Sequence, residues 1–334
     1  MKKKILKIIP IVVLLTAILL LIPYITEYTD NKSEPGKTVV ITIPEGATVP
    51  DIAALLKENG LIKHEIVFRL KLKFAGNGAM LNYGTYTLDD GMCINDIIKT
   101  LSGPAARKGV TVVIPEGFSV EQIAARLDKM GLCTAEDFFE ALNADYSYSF
   151  IQHIPEGNYN YKLQGFLFPE TYTIYDDATA YDIVNIMLAE FEKRYTSEVG
   201  AIDSTVFEKV NKAALIEKEA MLDRERPIIA GVIENRLKAG MPLQIDAAIV
   251  YAISKGTFDV EQVLYKDLEI DSPYNIYKNK GIPAGPICNP GITSLKAASS
   301  PESHSYLFYH TDTTKNDGSH IFTETYNEHL NTMN

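Results

Sequence analysis

The sequence predicts an α+β protein in three parts: an N-terminal transmembrane helix, a small strand–helix unit present twice, and an α+β C-terminal domain. Three observations carry this prediction. Residues 8–25 are apolar and uncharged behind four lysines. The run VVITIPEGATVPDIAALLKENGLIKHEIVF at 39–68 returns without a gap as VTVVIPEGFSVEQIAARLDKMGLCTAEDFF at 110–139. From about residue 204 strand-like alternation gives way to helical runs, a Pro/Gly-rich loop at 281–292 and a closing hairpin.

Residues 8–25 form an 18-residue uncharged stretch, and Ile5 and Leu6 extend it past Lys7. With Lys7 snorkelling, the segment reaches roughly the 20 residues that a bilayer span needs. No small-x-small cleavage site or lipidation cysteine follows it, so residues 1–26 read as a cytoplasmic tail and an uncleaved anchor, membrane-embedded through residues 5–25, rather than a signal peptide. Lysines before the span and none just after it place the N-terminus in the cytoplasm and the remainder on the outer face of the cell membrane. Residues 27–38 are polar, contain Pro35 and Gly36, and read as a linker.

Without the four N-terminal lysines, the formal charge of −11 becomes −15, which argues against nucleic acid as a partner. Cys93, Cys133 and Cys288 are odd in number and far apart, so no disulfide framework is indicated. The six histidines show no metal-ligand spacing, and no metal or cofactor is expected.

Each copy of the repeat starts with β-branched alternation and turns at Pro-Glu-Gly. It then runs at helical spacing through Ile52, Leu55 and Leu56, or Ile123 and Leu127, to a C-capping Gly60 or Gly131. YGTYTLDDGMCINDIIKTL (83–101) is echoed by PETYTIYDDATAYDIVNIML (169–188), each a strand followed by a helix. The units therefore span 39–109 and 110–200. Such small α/β modules resemble LysM carbohydrate-binding domains, though a purely structural scaffold fits equally well because no aromatic platform is visible.

In the C-terminal domain (201–334), 204–222 reads as a helix capped by Ser204, with Asp203 also available. A second helix over 223–240 carries Pro227 early and stops at Gly240. Asp246 could cap a third, which stops at Gly256; YLFYHTD and HIFTE flank a turn at 316–318 as a hairpin.

The first of these helices holds two glutamates, Glu217 and Glu219, in an apolar setting. They lie about 200° apart on a helix and cannot share a cleft. Glu217 falls among Val206, Val210, Ala213 and Met221, and Glu219 falls near Leu215, Ile216 and Leu222. Both faces are apolar, so periodicity does not choose between them. Pairing of each with Lys218, Arg224, Arg226 or Arg236 in a structural network is the plain alternative to catalysis.

The run LIEKEAMLDRERPIIAGVIENRLKAGMPLQIDAAIVYA (215–252) resembles the signature of the YceG-like endolytic murein transglycosylases. SPYNIYKNKGIPAGPICNPGITSLKAASSP (272–301) and YLFYHTDTTKNDGSHIFTETYNEH (306–329) extend the resemblance to nearly the whole chain. It implies a lyase that cleaves the MurNAc-β-1,4-GlcNAc bond of peptidoglycan glycan strands and leaves 1,6-anhydro ends. It also implies Glu219 as the catalytic acid and penicillin-binding synthases as partners. Many lytic transglycosylases follow their glutamate with Ser or Thr, whereas Ala220 stands here. Apolar neighbours are expected to raise the Glu219 pKa. Glu217 and Arg236 are expected to support the site. Gln244, Asp246, Tyr251, Asn275, Tyr277, Asn289 and His320 match patterned family positions and are candidate sugar contacts. Capping (Asp246), core packing (Tyr251), turn roles (Asn275, Asn289) and hairpin packing (His320) remain the alternatives. A non-catalytic peptidoglycan-binding scaffold and a muramidase hydrolase on the same fold are the competing functions.

Overall fold

Alternation in TVVITI turns Ile41 and Ile43 inward and Thr38, Val40 and Thr42 outward. The resulting strand β1 (Thr38–Ile43) pairs antiparallel with β2 (Gly84–Asp89), Ile41 opposite Tyr86. The computed structural model describes residues 36–74, 81–105 and 109–333. The expected membrane span lies outside them, and no helix among the described residues is long and apolar enough to cross a membrane.

The chain divides at Gly109 into two compact units. In the first, α1 (Val49–Glu58), α2 (Glu65–Phe74) and α3 (Ile94–Leu101) pack on the β1–β2 ribbon. Ile52, Leu56, Phe68, Tyr86, Leu88, Ile97 and Leu101 form its core. A capping box between Thr48 and Asp51 starts α1. Gly60 at φ 72° ends it, letting the Leu61 amide reach back to the Leu56 carbonyl.

The second unit opens with the same element order: β3 (Gly109–Val113), α4 (Val120–Lys129), α5 (Ala135–Ala141), β4 (Thr171–Tyr175) and α6 (Ala180–Glu198). Ser119–Gln122 and Thr179–Asp182 capping boxes start α4 and α6. This copy is continuous with the C-terminal helices. One core runs from Val112 and Ile123 through Phe166 and Phe191 to Ile216, Ile229, Ile287 and Leu295. The boundary expected near residue 200 does not divide that core.

Then come α7 (Val206–Glu219), α8 (Arg226–Lys238), α9 (Asp246–Ser254) and α10 (Ile292–Ser299). The hairpin β5 (Phe308–Thr311) and β6 (His320–Thr323) and the short α11 (Tyr326–Thr332) close the chain. Three details depart from the sequence reading. Thr205, not Ser204, sits at the start of α7, and the Asp203 carboxylate accepts from its amide and hydroxyl. The helix stops at Glu219, where Ala220 turns to ψ 117°, so Met221 and Leu222 are not on it. Asp246 is the first residue of α9 rather than its cap; Ile245 holds the cap position.

Candidate active site

Two residues apart on α7, a helix buried almost all round, the two glutamates leave on opposite sides and meet different partners. The Glu217 carboxylate Oε2 accepts from the Ser294 hydroxyl at 2.7 Å, the Gly291 amide at 3.0 Å and the Arg226 guanidinium at 3.2 Å. The Glu217 and Arg226 side chains are only 7% and 8% exposed, so this is a buried ion pair with added hydrogen bonds on Oε2. Its cation is Arg226, not Arg224 or Arg236. Arg224 lies 3.7 Å from Asp317, and Lys218 sits over the Phe258 ring.

Glu219 ends α7, half-buried, with the helix's orphan carbonyls beside it. Its Oε2 accepts a 2.7 Å hydrogen bond from the Tyr309 hydroxyl on β5. Burial pushes its pKa above the ordinary glutamate value, and the nearby Asp246 charge adds to this. The Tyr309 hydrogen bond, and electrostatic effects of His320 and the Arg236 guanidinium, oppose the rise without cancelling it. The negative end of α7 also disfavours a carboxylate here. The expected direction is therefore found, with burial as the main cause.

The surrounding groups are tightly held. Arg236 donates from Nε to the Leu307 carbonyl and from a terminal nitrogen to the Leu243 carbonyl, each at 2.6 Å, and its guanidinium lies 5.3 Å from the Phe308 ring centre. This fixes a cation beside the acid. His320 is bound at both ends of its own residue by Glu225: its amide donates to Oε1 at 3.1 Å, and its Nδ1 lies 2.7 Å from Oε2. The His320 ring stands edge-on to Tyr309, with centres 5.5 Å apart. The hairpin register explains the pairing. Tyr309 faces Phe322 and Thr311 faces His320, so Tyr309 and His320 share one face. The Tyr277 hydroxyl donates to Asp246 Oδ1, and burial raises the Tyr277 pKa. Gln244 sits exposed at φ 53°, its amide held by the Ile276 carbonyl. A non-glycine in the left-handed region is a strain that the surroundings must impose.

Three expected sugar contacts lie outside this cluster. Tyr251 is fully buried, edge-on to Tyr274 at 4.8 Å, and its hydroxyl accepts from Asn160. Asn275 uses both ends of its amide on the backbone of 268–278: Nδ2 donates to the Leu268 and Ile270 carbonyls, and Oδ1 accepts from the Tyr277 and Lys278 amides. Asn289 accepts from the Gly165 and Leu167 amides and donates to the Phe118 carbonyl. Both asparagines are fully buried with their hydrogen-bonding groups engaged, so they position loops. Conversely, sequence reasoning misses Tyr309 and Glu225. The alternation of YLFYHTD against HIFTE carries a signal for Tyr309; nothing local marks Glu225.

A half-buried carboxyl with a raised pKa, one oxygen occupied by a phenol and a fixed guanidinium nearby, is an arrangement of the kind general acid/base chemistry uses, on an α+β scaffold. The YceG-like family model matches residues 41–334, and the chain belongs to that family. It is 36% identical over 305 residues to the endolytic murein transglycosylase of Bacillus subtilis (strain 168), covering 87% of this chain and 83% of that protein. It is 32% identical over 308 residues to the endolytic murein transglycosylase of Streptococcus pneumoniae serotype 2 (strain D39), covering 84% of this chain and 55% of the longer relative. The 2.6 Å crystal structure of the yceG-like protein lmo1499 from Listeria monocytogenes superposes with a TM-score of 0.57 at 30% identity, over 89% of this chain and 99% of that one.

Proposed function

We propose that this chain is an endolytic lytic transglycosylase that cuts the MurNAc-β-1,4-GlcNAc bond of peptidoglycan strands, with Glu219 as acid and then base. The observation that carries the reading is the Glu219 carboxyl itself: burial raises its pKa above the ordinary glutamate value, its residue stays half-exposed, and among the described residues it is hydrogen-bonded through one oxygen, to Tyr309. With Oε2 accepting from Tyr309, the proton belongs on Oε1. That proton passes to the glycosidic oxygen as the C1–O bond breaks. The muramyl 6-hydroxyl attacks C1, and its proton returns to the Glu219 carboxylate, leaving a 1,6-anhydro end. One carboxyl suffices because the nucleophile is intramolecular.

The nearby carboxylate of Asp246 favours a second reading, a muramidase, since hydrolases use a pair of carboxyl groups. In the favoured reading, Asp246 is committed to Tyr277 and contacts sugar with Gln244 and His320. The same reading makes residues 5–25 a membrane anchor with the catalytic part outside, the repeated units LysM-like, and penicillin-binding synthases the working partners; the family resemblance supports these. Peptidoglycan digests analysed by mass spectrometry test the chemistry. Anhydro-muramyl ends from the wild type, lost in Glu219→Gln and kept in Glu217→Gln, are expected. Reducing ends would make it a hydrolase, and binding without any cleavage would make it a scaffold.

A further inference from the structure

The two copies of the repeat share one turn, and the copies differ in what covers it. In the second copy, Gly117 sits at φ 78° and the Phe118 amide closes the turn on the Pro115 carbonyl at 3.4 Å. The turn then receives Asn289: the Gly117 amide donates to the Asn289 carbonyl at 2.9 Å, and the Phe118 carbonyl accepts from the Asn289 amide at 2.8 Å. Glu116 lies against Gly291, and a Cβ on Gly117 would touch the Glu217 and Lys218 side chains. In the first copy Gly46 adopts φ 79°, and the Ala47 amide closes on the Pro44 carbonyl at 3.2 Å, so the backbone is the same. Here a Cβ on Gly46 would meet nothing within 4 Å. Neither the Gly46 amide nor the Ala47 carbonyl has a hydrogen-bond partner among the described residues.

The side chains differ to match. Phe118, with Arg126 stacked 5.5 Å from its ring centre, is replaced in the first copy by Ala47 and Leu55. The space left is a pocket of about 480 Å³ beside the turn. Glu45, Asp51 and Glu58 line it, and no Lys or Arg does. Asp51 is committed to the Thr48 cap, which leaves Glu45 and Glu58 for a ligand.

We propose that the turn at residues 44–46 docks an extended segment of a protein partner and takes a basic side chain from it into this pocket. The occupant of the second copy argues for a peptide, because Asn289 offers the amide and carbonyl of one residue, as a strand does. The carboxylates argue for the basic side chain. The proposal is independent of the catalytic reading.

The test is fluorescence anisotropy on the full chain with the labelled hexapeptide IKNPGI, which copies residues 287–292 with lysine in place of Cys288, and with its counterpart IENPGI. Saturable binding is expected for the lysine peptide, at least about fivefold tighter than for the glutamate peptide. Ala47→Phe, which installs the side chain the second copy already carries, should weaken it by about tenfold with an unchanged melting temperature. Glu45→Gln with Glu58→Gln, both exposed, should erase the lysine preference without refilling the pocket. Binding of neither peptide, equal binding by Ala47→Phe, or Ala47-dependent binding of the N-acetylglucosamine tetramer in place of peptide would each overturn the proposal.

Discussion

Replacing Glu217 and Glu219 in turn should separate stability from chemistry. Glu217→Ala removes the acceptor for the Ser294 hydroxyl, the Gly291 amide and the Arg226 guanidinium together. Arg226 is 8% exposed and keeps the Ser294 hydroxyl, the field of the nearby Glu116 carboxylate and an ion pair at 3.0 Å with Asp223, itself 75% exposed, so its charge loses its one buried ion-pair partner among the described residues. Breaking one side of a buried pair costs about 3–5 kcal/mol. In a unit of this size each kcal/mol moves Tm by about 2–4 °C, so a drop of roughly 10 °C is expected. Glu217→Gln keeps shape and one acceptor and should lose about half as much. Glu219→Gln should behave oppositely. A carboxyl whose pKa rises on folding binds protons more tightly in the folded state. It therefore lowers stability as pH climbs from the ordinary glutamate range through the raised pKa. At neutral pH Glu219→Gln should be at least as stable as wild type, and inactive. Urea unfolding beside the peptidoglycan assay, run at a temperature where all variants are folded, reads both quantities. A fully stable, inactive Glu217→Gln, or a destabilised, active Glu219→Gln, would refute the assignment.

Two further expectations rest on single side chains. Tyr309→Phe removes a donor that holds the Glu219 pKa down, so the alkaline limb of the pH–rate profile should move to higher pH; an unmoved limb would mean the 2.7 Å contact does not govern the acid. Asn289→Ala leaves the Gly165 and Leu167 amides without their acceptor and should cost about 2–4 kcal/mol in thermal or urea unfolding, with KM for glycan strands unchanged. A raised KM with full stability would return Asn289 to the sugar groove.

Much of this molecule is local in origin, and that part was legible. Capping pairs three residues apart, glycines after helices and period-two alternation act through neighbouring backbone, so the duplicated unit and its element order are set by the sequence alone. The opposed directions of Glu217 and Glu219 come from helical pitch. Which of them meets Arg226 and which meets Tyr309 did not, because Val210, Ala213, Leu215 and Ile216 make both sides apolar. Ser294, Gly291 and Arg226 on one side, and Tyr309, His320 and Arg236 on the other, come from segments far along the chain. The same holds for Asn275 and Asn289, whose carboxamides look alike in sequence whether they meet sugar or close loops. The end of α7 at Glu219 is tertiary too, since nothing in EKEAMLDRER breaks a helix before Pro227. Sequence by itself determined the elements, the repeat and the short list of acids. Only the packing of α7 between α10 and the hairpin decided which acid meets Arg226 and which meets Tyr309, because burial and the charges around a carboxyl are properties of the assembled core.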